Sequence, residues 1–106
     1  MENIEIIMDI IVHGGNARSK AMEAIRQAAE GKFEEAKKQV ESAEEDLHRA
    51  HNVQTSLIQD EANGKKTEIS LLMIHAQDHL MNAITVVDMA KEMIRLHEML
   101  FKIKNQ

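Results

Sequence analysis

The stretch Phe33-Glu34-Glu35-Ala36-Lys37-Lys38-Gln39-Val40-Glu41-Ser42-Ala43-Glu44-Glu45-Asp46-Leu47-His48-Arg49-Ala50 decides the fold class. Its apolar members fall at Phe33, Ala36, Val40, Ala43, Leu47 and Ala50, and the alternation of three and four continues through Gln54 to Leu57. That is the a/d seam of a heptad with one polar member, Gln54. Several seam positions are Ala, so neighbouring helices can approach closely. The other faces carry Glu34, Glu35, Lys37, Lys38, Glu41, Glu44 and Glu45, a solvated and mostly acidic surface.

Working outward, the seam ends on either side at a glycine. Glu30-Gly31-Lys32 precedes it and Ala62-Asn63-Gly64-Lys65-Lys66 follows it. Gly just past a helix end supplies the left-handed cap. Three helices are therefore predicted, over about residues 3–30, 32–63 and 67–104, in a single domain covering 1–106. Helix formers dominate, Pro is absent and there are only four Gly.

In the first helix Ile4, Ile7, Met8, Ile11, Gly15, Met22, Ile25 and Ala29 share a predicted stripe. Gly14-Gly15 sits in mid-helix, where each Gly costs about 1 kcal/mol relative to Ala. Either a kink or the close approach of another helix or a ligand accounts for that pair. In the third helix Ile69, Leu72, Ala76, Leu80, Ala83, Val87, Ala90, Ile94 and Phe101 form a stripe. Met73, Ile84, Val86, Met93, Leu96 and Leu100 widen it beyond one seam. A helix that is apolar on more than one side needs partners on more than one side. One three-helix subunit cannot supply them all, so self-association is expected. The predicted fold is all-α, an antiparallel three-helix bundle of the spectrin-repeat kind.

Composition removes several function classes. The chain has 106 residues and no Cys, which excludes disulfides, Cys-based zinc sites and a Cys nucleophile. Lys and Arg total 13 against 18 Asp and Glu, for a formal net charge of -5. An acidic chain without a basic run has no electrostatic footprint for nucleic acid or anionic membrane. The lack of Trp and Tyr argues against a base-stacking platform. No run approaches the ~18 apolar residues of a membrane span. The opening Ile4–Val12 run carries Glu5 and Asp9, without the basic start of a signal peptide. A soluble cytoplasmic protein is expected.

The six histidines are His13, His48, His51, His75, His79 and His97. Only His75-Ala76-Gln77-Asp78-His79 gathers polar groups on an apolar helix. At ~100° per residue, Asp78 lies about 60° to one side of His75 and His79 about 40° to the other. The three share a patch that Asn82 extends, while Gln77 projects to a different face. Such a patch costs stability unless it is satisfied. Three explanations stand side by side. It could be a metal site built from two imidazoles and a carboxylate, or a nucleophilic imidazole oriented by a neighbour. It could also be a polar layer that sets helix register.

His75-Ala76-Gln77-Asp78-His79-Leu80-Met81 resembles the signature of the lactose/cellobiose-type enzyme IIA of the bacterial phosphoenolpyruvate:sugar phosphotransferase system. The resemblance continues in Gly15-Asn16-Ala17-Arg18-Ser19-Lys20, in Gly31-Lys32-Phe33-Glu34-Glu35-Ala36, in Ala50-His51-Asn52-Val53-Gln54-Thr55 and in Glu61-Ala62-Asn63-Gly64. It implies a homotrimer of three-helix subunits and a phosphohistidine intermediate. A histidine phosphocarrier protein would donate the phosphoryl group, and the cognate IIB component would accept it. The membrane permease would be engaged only indirectly, during uptake of lactose, cellobiose or a related β-glucoside. By the same resemblance His75 is the phosphoryl acceptor, and Asp78 meets its symmetry mates at a shared metal ion, typically magnesium.

A nucleophile in mid-helix has no free backbone N–H groups beside it. Side chains must therefore meet the phosphoryl oxygens, and His79 and Gln77 are the candidates from the motif. His51 and Gln54 could contribute from the second helix, although Gln54 lies on the packing seam. A rival from another class is a non-catalytic, metal-dependent helical oligomer or adaptor in which His75, Asp78 and His79 bind metal together. A second rival, a two-component histidine phosphotransfer module, usually presents its His beside a Lys-Gly pair, and none follows His75.

Overall fold

A computed structural model describes the backbone from Glu2 to Gln106 and the side chains from Ile4 onward. Met1 lies outside the described residues. Three helices run in sequence: α1 (Glu2–Ala29), α2 (Phe33–Ala62) and α3 (Leu71–Lys104). They form a rod of 60 × 21 × 19 Å. Its radius of gyration of 16.8 Å exceeds the ~13 Å of a rounded 100-residue domain, because each helix spans most of the length.

Both interhelical boundaries fall where glycine was expected. Gly31 and Gly64 have φ of 80° and 89°, a conformation that other residues adopt at a cost. Around Gly31, the Lys32 N–H donates to the Gln27 carbonyl at 2.9 Å and the Gly31 N–H to the Ala28 carbonyl at 3.0 Å. Lys65 to Asp60 at 2.8 Å and Gly64 to Glu61 at 3.1 Å repeat the arrangement. These are paired Schellman bonds, which satisfy carbonyls the helix leaves open.

The third helix begins four residues later than expected. Ser70 is its N-cap, with extended backbone, and its Oγ accepts from the Met73 N–H at 3.1 Å. That bond satisfies one orphan donor and contributes about 1 kcal/mol. Thr67 to Ile69 therefore remain outside the helix. Ile69, expected on the core stripe, is exposed.

Three apolar layers fix the topology. Ile7 and Ile10 meet Ala50, Met73, Ala76 and Leu80. Ala17 and Ala21 meet Ala43, Val87 and Ala90. Ala24 and Ala28 meet Ala36, Val40 and Ile94. Along α1 and α3 the numbers rise together while along α2 they fall, so α2 runs antiparallel to the other two. Leu80 at the centre is fully buried, which contributes about 2–3 kcal/mol.

The core stripe of α1 differs from the expected one. Its buried positions are Ile7, Ile10, Gly14, Ala17, Ala21, Ala24 and Ala28, a three-four repeat of mostly small residues. Ile4, Met8, Met22 and Ala29 are exposed, while Ile11, Gly15 and Ile25 are half-buried. Small side chains let α1 sit close to both partners, and the larger ones flank the seam. In α3 Met73, not Leu72, is buried, and Phe101 is exposed. There Phe101 makes an edge contact with Phe33, ring centroids 5.6 Å apart.

Candidate functional site

The α3 segment 75–79 passes over the glycine pair of α1. Ala76 and Leu80 anchor it in the core, which turns His75 and Asp78 to the exposed side and leaves His79 and Gln77 half-buried. The His75 and His79 rings, one turn apart, are stacked with centroids 5.9 Å apart and planes 16° from parallel. A Cβ placed on Gly15 would lie 3.1 Å from His79 Nε2, and one on Gly14 would lie 3.4 Å from His79 Cδ2. The α1 glycines thus mark the close approach of another helix, and α1 continues through them without a break.

Gln77 is held from below. The buried Gln54 of α2 donates from Nε2 to Gln77 Oε1, and Gln77 Nε2 lies 3.8 Å from Met73 Sδ. Gln54, the polar member of the α2 seam, is therefore a partner for Gln77. His48 and His51 are exposed on α2, where they line a shallow groove with Leu47 and Ile84.

Asp78 is exposed between Ile74 and Met81, whose side chains are also open to solvent. With Leu71 they continue an apolar strip down the outer face of α3. A cleft of about 530 Å³ opens beside this strip, between the end of α2 and the start of α3.

Metal binding by His75, Asp78 and His79 of one chain does not fit the geometry. Among the described residues no three His, Cys, Asp or Glu side chains converge on one position. The lone pairs of imidazole lie in the ring plane, so stacked parallel rings direct them side by side and not toward a common ion. Asp78 alone supplies a hard carboxylate oxygen. The donor chemistry suits a divalent cation only where carboxylates of several chains meet.

A second polar cluster, which no sequence motif marks, lies deeper between α1 and α2. Asp46 is buried, with Oδ1 2.8 Å from His13 Nδ1 and Oδ2 2.5 Å from Lys20 Nζ. His13 Nε2 lies 3.3 Å from Asp9 Oδ1. Burial alone would push the Asp46 carboxyl up. The hydrogen bonds and charges of Lys20 and His13 outweigh it and hold the carboxyl below its ordinary value. No spacing in the sequence links positions 33 residues apart, so only the fold reveals this pair.

The comparisons with known proteins agree along nearly the whole chain. Residues 5–98 match the family described as the lactose/cellobiose specific IIA subunit of the phosphotransferase system. The chain belongs to that family. As a IIA component it is a phosphocarrier of a sugar phosphotransferase system. It is 62% identical over 94 residues to the lichenan-specific phosphotransferase enzyme IIA component of Bacillus subtilis, covering 89% of this chain and 86% of that protein. The crystal structure of the cellobiose-specific enzyme IIA from Bacillus anthracis superposes with a TM-score of 0.90 at 53% identity. That match covers 92% of this chain and 90% of the other. The Escherichia coli chitobiose IIA, solved in complex with HPr, gives a TM-score of 0.79 at 41% identity, covering 91% and 93% of the two chains. Among the described residues no helix is long and apolar enough to cross a membrane.

Proposed function

We propose that this IIA component carries its phosphoryl group on His75. The observation that supports the assignment most strongly is an exposed imidazole on a core-anchored helix turn, stacked on a second imidazole, within the family's His-Ala-Gln-Asp-His motif. A ring nitrogen of His75 attacks phosphorus. The N–P bond to His75 forms as the N–P bond of the donor's phosphohistidine breaks, and the electron pair returns to the donor's imidazole. Delivery to a IIB component breaks the His75 N–P bond as the bond from phosphorus to the IIB nucleophile forms, and the electron pair returns to the His75 imidazole. His79 supports the transferred group from the adjacent ring, and Gln77, braced by Gln54, supports the group of a neighbouring subunit.

The donor is a histidine phosphocarrier protein. The HPr complex of the Escherichia coli chitobiose IIA supports this for a related chain. The relatives' names point to uptake of β-linked sugars such as lichenan fragments or cellobiose, and the protein works in the cytoplasm. Sugar contact falls to the permease, so no residue here need choose among them.

The assembly is a homotrimer built on the outer face of α3. Leu71, Ile74 and Met81 are exposed there, as are Leu96 and Ile103 farther along. Contiguous apolar surface of this kind marks an association site. Asp78 interrupts the strip, and three such carboxylates would hold a divalent cation, typically magnesium, on the trimer axis. The cation offsets their mutual repulsion.

Incubation with phosphoenolpyruvate, the general phosphotransferase proteins and then a cognate IIB tests the relay by intact mass. One acid-labile phosphoryl group per chain should appear and then leave on addition of IIB. A chain that never gains mass, or never discharges, contradicts the proposal.

A further inference from the structure

Along the buried stripe of α1, Ile7 and Ile10 come first and every position from Ala17 to Ala28 is Ala; between them stands Gly14. Its neighbour Gly15 is the second glycine of that helix. Ala is the better helix former at both positions, so the glycine pair forgoes helix stability. What lies opposite is His79. Its Nε2 would be 3.1 Å from a Gly15 Cβ, tighter than ordinary contact, and its Cδ2 3.4 Å from a Gly14 Cβ. Two neighbours limit how His79 can give: the His75 ring lies parallel with its centroid 5.9 Å away, and the next residue, Leu80, is locked in the core.

We infer that Gly14 and, above all, Gly15 are positioning residues for phosphoryl transfer. The missing Cβ atoms form a notch that seats the His79 ring, and the stacked ring in turn sets the orientation of His75. Neither glycine touches the reacting atoms. A methyl group at position 15 pushes the His79 ring outward by a few tenths of an ångström and tilts the stack against His75. Small misplacements of reacting groups are costly because transfer needs near-linear alignment.

This inference rests on His75 as the acceptor, and the test separates the two. Gly15→Ala, Gly14→Ala, His75→Ala, His79→Ala and the Gly15→Ala/His79→Ala double variant are compared in the whole 106-residue chain. The readouts are rapid-mix transfer from the phosphorylated donor, thermal melts and imidazole ¹⁵N NMR. Gly15→Ala should slow transfer about tenfold with KM for the donor unchanged, and Gly14→Ala should have a smaller effect. The His75 and His79 ring signals should shift in Gly15→Ala. In the His79→Ala background, Gly15→Ala should leave the residual rate unchanged and raise the melting temperature, since the notch is then empty. If Gly15→Ala alone fails to fold, refolding of the double variant supports the notch, and a double variant that also stays unfolded overturns it. Wild-type transfer in Gly15→Ala, or an equal slowing with and without His79, also overturns it. Persistent labelling of His75→Ala would remove His75 as acceptor, while the ring shifts would still report whether Gly15 seats His79.

Discussion

His13 and His75 lie on helices that run side by side, yet their surroundings are opposed. Both ring nitrogens of His13 face carboxylates, at 2.8 Å from Asp46 and 3.3 Å from Asp9, and Lys20 closes the other side of Asp46. His75 is exposed, and its neighbour on the helix is a second imidazole. The first cluster uses its polar groups to join α1 to α2. The second leaves a ring open to an approaching protein. A histidine's chemistry is set by how many of its nitrogens the fold has already engaged. A phosphocarrier needs one nitrogen free and the helix beneath it fixed.

The largest expected effect falls on the closed cluster. Asp46→Ala leaves the Lys20 ammonium and the His13 ring without their buried acceptor. It should cost about 2–3 kcal/mol of unfolding free energy, measured by urea titration, with phosphoryl transfer from HPr nearly unchanged at temperatures where the variant is folded. A loss of transfer exceeding the loss of stability would erase the distinction between the clusters.

A smaller effect is expected at the open cluster. Asp78→Leu replaces an exposed carboxylate within an apolar strip. It should raise trimer stability in the presence of chelator by about 1–2 kcal/mol and make the melt insensitive to chelator, with His75 still phosphorylated. Monomers by light scattering, or identical wild-type melts with and without chelator, would contradict the axial arrangement.

The smallest effect is a pH dependence. The Asp46 carboxyl binds its proton less tightly in the folded chain than its ordinary value of 3.8. Through that window the unfolded chain holds more protons, so this contribution is full above the ordinary value and is lost as pH falls through the folded one. Wild-type stability should therefore decline more steeply in acid than that of Asp46→Asn. Parallel declines would mean that the ion pair contributes nothing in solution.

Much of this contrast was legible in the sequence on one side only. The α2 heptad and the caps at Gly31 and Gly64 are local signals, and they located the helices to within a residue at those boundaries. The His75–His79 cluster was legible because five consecutive residues on one helix carry its pattern. Asp46 was not, since its partners lie on another helix and a charged residue beside a seam reads as surface. The α1 stripe was misplaced for a related reason. Large apolar side chains give the strongest pattern, but close helix packing selected the small ones, from Gly14 to Ala28. The start of α3 shifted because one hydroxyl, that of Ser70, captured the first turn.

The central claim is that the open histidine, and not its stacked neighbour, carries the phosphoryl group. It is tested most directly by intact-mass analysis of His75→Ala and His79→Ala after incubation with phosphoenolpyruvate and the general phosphotransferase proteins. No added phosphoryl group is expected on His75→Ala, and a slower but detectable gain on His79→Ala. Label retained on His75→Ala and lost from His79→Ala would contradict it.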